Sequence, residues 1–175
     1  NWYETEAGKL PWYCLDFWTE RLGFDVFELK ADVEHLINIR PYAKDFLERL
    51  SKTDCLVVMV TNAHEKLVKM KMDKTGIDVF FHHIISSHSL GHAKEEQAFW
   101  HRLQDEIPFA PEETLLIDDN LTVLRSARQY GIRHLLTIAK PDSRFDEQDP
   151  EEFQAIHSFE DLDFQMLKPG NNSSP

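Results

Sequence analysis

From residue 40 onward the chain alternates between two hydrophobic rhythms. Short unbroken apolar runs end in polar residues, and after each run apolar positions return every three or four residues. Leu56, Val57, Val58, Met59 and Val60 make the first run. A β-branched run apolar at every position predicts a strand buried on both faces, which is the pattern of a parallel strand. It ends in Thr61, Asn62, Ala63 and His64, and a helix is expected from there to about Thr75, with Gly76 as its C-cap. The rhythm then repeats. Strands are expected at 83–86, 114–117 and 134–138, with helices at 95–106 and at 122–130, where Gly131 stops the second. Strands alternating with helices in this way imply an α/β domain on a parallel sheet.

The two ends read differently. Residues 2–36 carry only the helical rhythm. Trp12, Leu15, Thr19 and Leu22 recur at spacings of three and four, and Cys14, Phe17 and Trp18 widen the stripe. Such a stripe is expected to face a core, with Gly23 as a helix stop. Arg40-Pro41 is expected to open a further helix that buries Phe46, Leu47 and Leu50. Residues 168–175 are rich in Pro, Gly, Asn and Ser and are expected to be loose. There is no internal repeat.

Ligands of open parallel sheets sit beyond the carboxyl ends of the strands. Two of the expected strand ends carry notable polar residues: Thr61-Asn62, and Asp118-Asp119 after Leu115-Leu116-Ile117. Adjacent carboxylates repel in a partly desolvated site. A hard divalent cation such as magnesium (Mg²⁺) relieves that conflict through oxygen ligands. A plainer reading is that an Asp caps the next helix, which explains one Asp better than two. Thr61-Asn62 also reads as an N-cap, or as a hydroxyl with helix N-terminal amides suited to a phosphate oxygen. Lys94 alone reads as a surface lysine. Taken in this order on these elements, the set is far more specific than any part.

Charge and composition narrow the field. Nineteen basic against 31 acidic residues leave a net charge of −12. That balance disfavours nucleic acid and anionic membranes as partners. A small phosphorylated substrate needs only one local positive site, which a metal can supply. The 175 residues hold no apolar run near the ~20 residues of a membrane span, and no signal peptide. Cys14 and Cys55 lack metal or redox spacing and read as reduced thiols of a cytoplasmic protein. His82, His83, His88, His92 and His101 also lack ligand spacing, so no zinc site is expected.

A hydrophobic strand ending in Thr61-Asn62, then Lys94 before a helix, then Leu115-Leu116-Ile117-Asp118-Asp119, resembles motifs two, three and four of the haloacid dehalogenase-like hydrolases. Residues 126–132 resemble that family's helix-to-strand passage after motif four, and residues 156–162 its closing segment. The likeness runs from about Arg40 to Leu162. Residues 12–18, Thr61-Asn62-Ala63-His64 and Lys94-Glu95-Glu96-Gln97 are similar to the bacterial GMP/IMP nucleotidase branch.

The resemblance implies a Rossmann-like three-layer fold. Residues 1–38 would be part of a helical cap, 39–165 the α/β core and 166–175 a loose tail. It implies a Mg²⁺-dependent phosphomonoester hydrolase that works through an aspartyl-phosphate and acts on a purine 5′-nucleotide. Thr61 and Asn62 would hold phosphate, and Lys94 would steady phosphate and nucleophile. Asp118 would bind the metal, and Asp119 would assist it or orient Lys94. Motif one, Asp-x-Asp-Gly-Thr after an apolar strand, occurs nowhere in the 175 residues. The nucleophile and a central strand are therefore expected upstream of Asn1, and these residues alone are expected to be inactive. Two rivals remain. One is an inactive interaction module on the same fold. The other is a phospho-receiver domain, in which the acidic pair would come early and the Lys last.

Overall fold

The structure, a computed structural model, describes residues 5–141 and 146–162. The expected loose tail and the first residues of the expected cap lie outside the described residues. Three short helices come first: α1 (Leu10–Tyr13), α2 (Leu15–Leu22) and α3 (Val26–Ala31). Cys14 is extended between the first two (φ −84°, ψ 117°) and so restarts the helix. Gly23 ends α2 in the left-handed region (φ 76°), and Asp25 caps α3 by accepting from the amides of Phe27 and Glu28. The break at Cys14 corrects the expected single stripe. Of its residues only Leu15 is buried, and Leu22 is 49% exposed.

Helix α4 (Ala43–Leu50) begins two residues after Pro41 rather than at it, because Tyr42 is left-handed (φ 60°) and holds the chain out of the helix. Its buried face is Phe46, Leu47 and Leu50, as the spacing predicts.

The remaining elements alternate as expected. They are β1 (Val58–Thr61), α5 (Glu65–Thr75), β2 (His83–Ser86), α6 (Ser87–Leu90), α7 (Gln97–Glu106), β3 (Leu115–Asp118), α8 (Leu121–Tyr130), β4 (His134–Ile138) and β5 (Gln154–Ile156). Two of them, α6 and β5, are not foreseen by the pattern. Gly76 and Gly131 end α5 and α8 at φ 64° and 117°.

All strand pairs are parallel. β1 pairs with β2, and β3, β4 and β5 pair in that order as a second sheet. β1 and β3 are not hydrogen-bonded to each other, yet they share the same packing. On one face Val58, Val60, Leu116 and Leu135 pack against Phe99, Trp100 and Leu103 of α7 and Val123 and Ala127 of α8. On the other face Val57, Ile117, Leu136 and Ile138 pack against Phe46, Leu47 and Leu50 of α4. Successive strand residues feed opposite layers, which gives a three-layer α/β fold. A buried hydroxyl is well used in this core: Ser126 Oγ takes Trp100 Nε1 at 2.9 Å and Gln97 Nε2 at 3.1 Å.

Candidate active site

The parallel register fixes where the chemistry gathers. Thr61 is the last residue of β1 and lies beside Ser86, while Asp118 is the last residue of β3 and lies beside Thr137. Both stand at carboxyl ends, and both line one cavity of ≈ 280 Å³. Asn62, Lys94 and Asp119 line it too, with Tyr13, Ala63, Asn120 and Val123. All five residues expected from the sequence are thus brought together. A larger hollow of ≈ 410 Å³ lies at α6 and α7, but none of its lining residues comes from a strand.

The capping alternatives fail on specific atoms. Helix α8 is capped by Asn120, whose side chain accepts from the amides of Thr122 and Val123. Helix α5 is capped by His64, whose Nδ1 accepts from Lys66 N at 3.3 Å. Asp118, Asp119, Thr61 and Asn62 are therefore not consumed as helix caps. Thr61 Oγ1 instead accepts from Ala63 N at 3.1 Å within the turn after β1.

Lys94 and Asp118 are each 8% exposed and form a short ion pair through Nζ and Oδ2. Asp118 Oδ1 accepts from Asn120 N at 3.0 Å. Every group of the pair is thus hydrogen-bonded, the condition under which a desolvated ion pair is tolerated. The expectation allowed Asp119 to orient Lys94; here the partner of Lys94 is Asp118, and Asp119 is exposed at the cavity rim. Lys94 N donates to Asn62 Oδ1 at 2.9 Å, which ties the loop before α7 to the end of β1.

Glu95 is the residue that the sequence reading left out of the site. Its carboxylate accepts from Tyr13 Oη at 2.5 Å, Asn62 Nδ2 at 2.8 Å and Asn120 Nδ2 at 3.1 Å. It thereby joins α1 to both strand ends. Burial first, then the hydrogen bond to Glu95 and its charge, push the Tyr13 phenol well above its ordinary value. Tyr13 is thus held as a protonated donor. The available signal was the acidic text after Lys94, but nothing in it identified Tyr13 and Asn120 as partners.

Carboxylates outnumber ammonium groups here: Asp118, Asp119 and Glu95 stand against Lys94. A divalent cation would offset the excess negative charge. The donors suit Mg²⁺, since Asp118 and Asp119 offer hard oxygens at one rim and the oxygens of Asp118 keep lone pairs beyond their present hydrogen bonds.

Comparison with known proteins places the chain in a family. A family model described as haloacid dehalogenase-like hydrolase matches residues 8–131. The chain belongs to that family. The GMP/IMP nucleotidase YrfG of Escherichia coli K12 is 33% identical over 160 residues, which is 91% of this chain and 72% of that protein. Among solved structures, a HAD phosphatase from Thermococcus onnurineus has a TM-score of 0.75 at 19% identity and covers 94% of this chain and 75% of its own. A crystallised dehalogenase has a TM-score of 0.62 at 17% identity; this chain spans 57% of it. The two structural likenesses bear on the fold. The expected haloacid dehalogenase-like α/β fold is thereby shown for this chain. Among the described residues, no helix is long and apolar enough to cross a membrane.

Proposed function

We propose that this hydrolase-family chain forms the phosphate- and metal-holding part of a Mg²⁺-dependent phosphomonoesterase that acts on purine 5′-nucleotides such as GMP and IMP. The observation that carries the reading is the convergence of Thr61, Asn62, Lys94, Asp118 and Asp119 on one cavity at the carboxyl ends of β1 and β3. The purine nucleotide rests on the likeness to the nucleotidase.

In this reading Thr61 Oγ1 and the amides after β1 receive the non-bridging phosphoryl oxygens. Lys94 neutralises charge that builds on the phosphoryl group, and Asp118 holds the ammonium in place. Asp118 and Asp119 would hold Mg²⁺, which when bound supplies electrostatic stabilisation of the transferring group. Tyr13, anchored on Glu95, closes the cavity from the side of the short helices, the proposed cap. The attacking carboxylate of an aspartyl-phosphate mechanism would stand on a strand between β1 and β3, whose facing edges are not paired with each other. The chain would work in the cytoplasm.

The test is phosphate release from GMP, IMP and CMP with and without Mg²⁺. It uses the 175 residues and a version extended at the N-terminus. Only the extended form should turn over, with a preference for the purine nucleotides. In it, Asp118→Asn should lower the rate by orders of magnitude and weaken Mg²⁺ dependence, at ~1.4 kcal/mol per tenfold. EDTA-sensitive hydrolysis by the 175 residues alone would overturn the nucleophile assignment. An Asp118→Asn enzyme of near-normal rate and metal affinity would overturn the metal assignment.

A further inference from the structure

Beside the oxygen-rich cavity the fold assembles a second donor set of a different chemical kind. Cys14 follows Tyr13, and His64 follows Thr61, Asn62 and Ala63, so two stretches of backbone serve both places. Cys14 lies between α1 and α2, His64 at the start of α5, and His88 in α6. One ligand atom from each, the thiol sulfur and two ring nitrogens, lie within 4.8 Å of one another. All three residues are half-buried. The two rings are 4.9 Å apart between centroids.

We propose that Cys14, His64 and His88 form a binding site for a soft or borderline transition-metal ion, zinc (Zn²⁺) foremost, distinct from the Mg²⁺ candidate at Asp118 and Asp119. Thiolate and imidazole are both zinc ligands, and three protein donors with a fourth position open is the layout of a catalytic zinc site. Zinc–nitrogen bonds of about 2.0–2.1 Å and a zinc–sulfur bond of about 2.3 Å set ligand separations of roughly 3.5 Å in a tetrahedron. The donors need close by only about 1 Å, within the reach of side-chain rotation.

Two further observations support the site. The Nε2 of His88 is buried and has no hydrogen-bond partner, a costly state that a metal would relieve. In the metal-bound form His64 Nδ1 would turn from the Lys66 amide to the ion, and Asp16 Oδ2, 3.7 Å from His64 Nε2, would orient the imidazole. Asp16 also meets Lys66 Nζ at 3.1 Å.

Zinc at this point would staple the short helices to the α/β core beside the cavity. Binding converts the Cys14 thiol to a thiolate and releases one proton per ion. The site escapes sequence reading because its ligands are separated by 50 and 24 residues (positions 14, 64 and 88).

The test is optical titration of the 175-residue chain with Co²⁺, followed by displacement with Zn²⁺, in excess Mg²⁺. The expected result is a thiolate-to-cobalt charge-transfer band with tetrahedral d–d absorption at one ion per chain, bleached by Zn²⁺ and indifferent to Mg²⁺. Cys14→Ser should abolish the band and Cys55→Ser should keep it, and Asp16→Asn should weaken Zn²⁺ about 10- to 100-fold. Far-UV circular dichroism checks that each variant folds; should Cys14→Ser lose its helical signal, His64→Gln and His88→Gln carry the same test. No band in the unaltered chain, or a band that survives Cys14→Ser, overturns the site. The readout is independent of phosphate release, so it stands or falls separately from the proposed hydrolase.

Discussion

Two ion-pair groups sit on consecutive elements, one at the end of β3 and one on α8. Lys94–Asp118 sits at the carboxyl end of β3, with both side chains about nine-tenths buried. Arg125 on α8 meets Glu151 and, through a two-pronged contact at 2.9 and 3.0 Å, Glu152, with all three side chains roughly half in water. By geometry the exposed group is the richer one. By energy it counts for less, because water screens it and its long side chains lose freedom when held. The buried pair is strong only because both charges would otherwise be stranded. Pairing geometry therefore says little about weight, and burial decides it. A charged pair kept where it is costly to keep points to chemistry rather than to stability.

The sharpest break of that comparison is Lys94→Ala. It leaves Asp118 buried without a counter-charge and is expected to cost about 3–5 kcal/mol, read as a lower urea midpoint with an unchanged slope. Pairing Lys94→Met with Asp118→Leu should recover much of that loss, since apolar replacement of a buried pair is often neutral or better. If the double variant is as unstable as Lys94→Ala, the pair is structural and the argument for chemistry weakens.

A middle effect is expected at Glu95. Glu95→Ala deprives Tyr13, Asn62 and Asn120 of one shared acceptor and should cost about 1–3 kcal/mol in thermal or denaturant unfolding. Tyr13→Phe removes one of those bonds and should cost about 1 kcal/mol, less than Glu95→Ala. Equal losses would mean that the hub works through Tyr13 alone.

The smallest effect belongs to Arg125→Ala, which should leave the thermal midpoint at neutral pH nearly unchanged. Hydrogen bonding to Arg125 holds the Glu152 carboxyl below its ordinary value. A lowered folded-state value means that the pair's contribution is present above the ordinary glutamate range. It is lost as pH falls through the lowered value. The small gap between the unaltered chain and Arg125→Ala should therefore close in acid, as thermal midpoints across a pH series would reveal. A gap that widens in acid would contradict the assignment.

Much of this was legible in the residues. Four strands fall within two residues of their expected limits, because runs such as 56–60 are apolar at every position and suit only a strand covered on both faces. Gly76 and Gly131 stop helices where expected, since a left-handed C-cap favours a residue without a side chain. β5 went unseen because three residues carry no period; Ala155 is a strand residue through its register with Thr137. The break of the N-terminal stripe went unseen because Cys14 carries no breaker signal, although its backbone is extended.

The sequence by itself determined which residues could do chemistry and on which strand ends they stand. That information is local: a strand's polar terminus, a lysine ahead of a helix and two adjacent acids are all written within a few residues. Only the tertiary structure decided which of them meet. Asn120 rather than Asp118 caps α8, Lys94 turns to Asp118, and Glu95 gathers Tyr13 from another part of the chain. Cys14, His64 and His88 come within ligand distance of one another in the same way. The physical reason is that hydrogen bonds and metal bonds act over a few ångströms, whereas, the local Asn120 cap apart, their partners here lie 24 to 82 residues apart. Only packing of the helices against the strands brings such groups within reach.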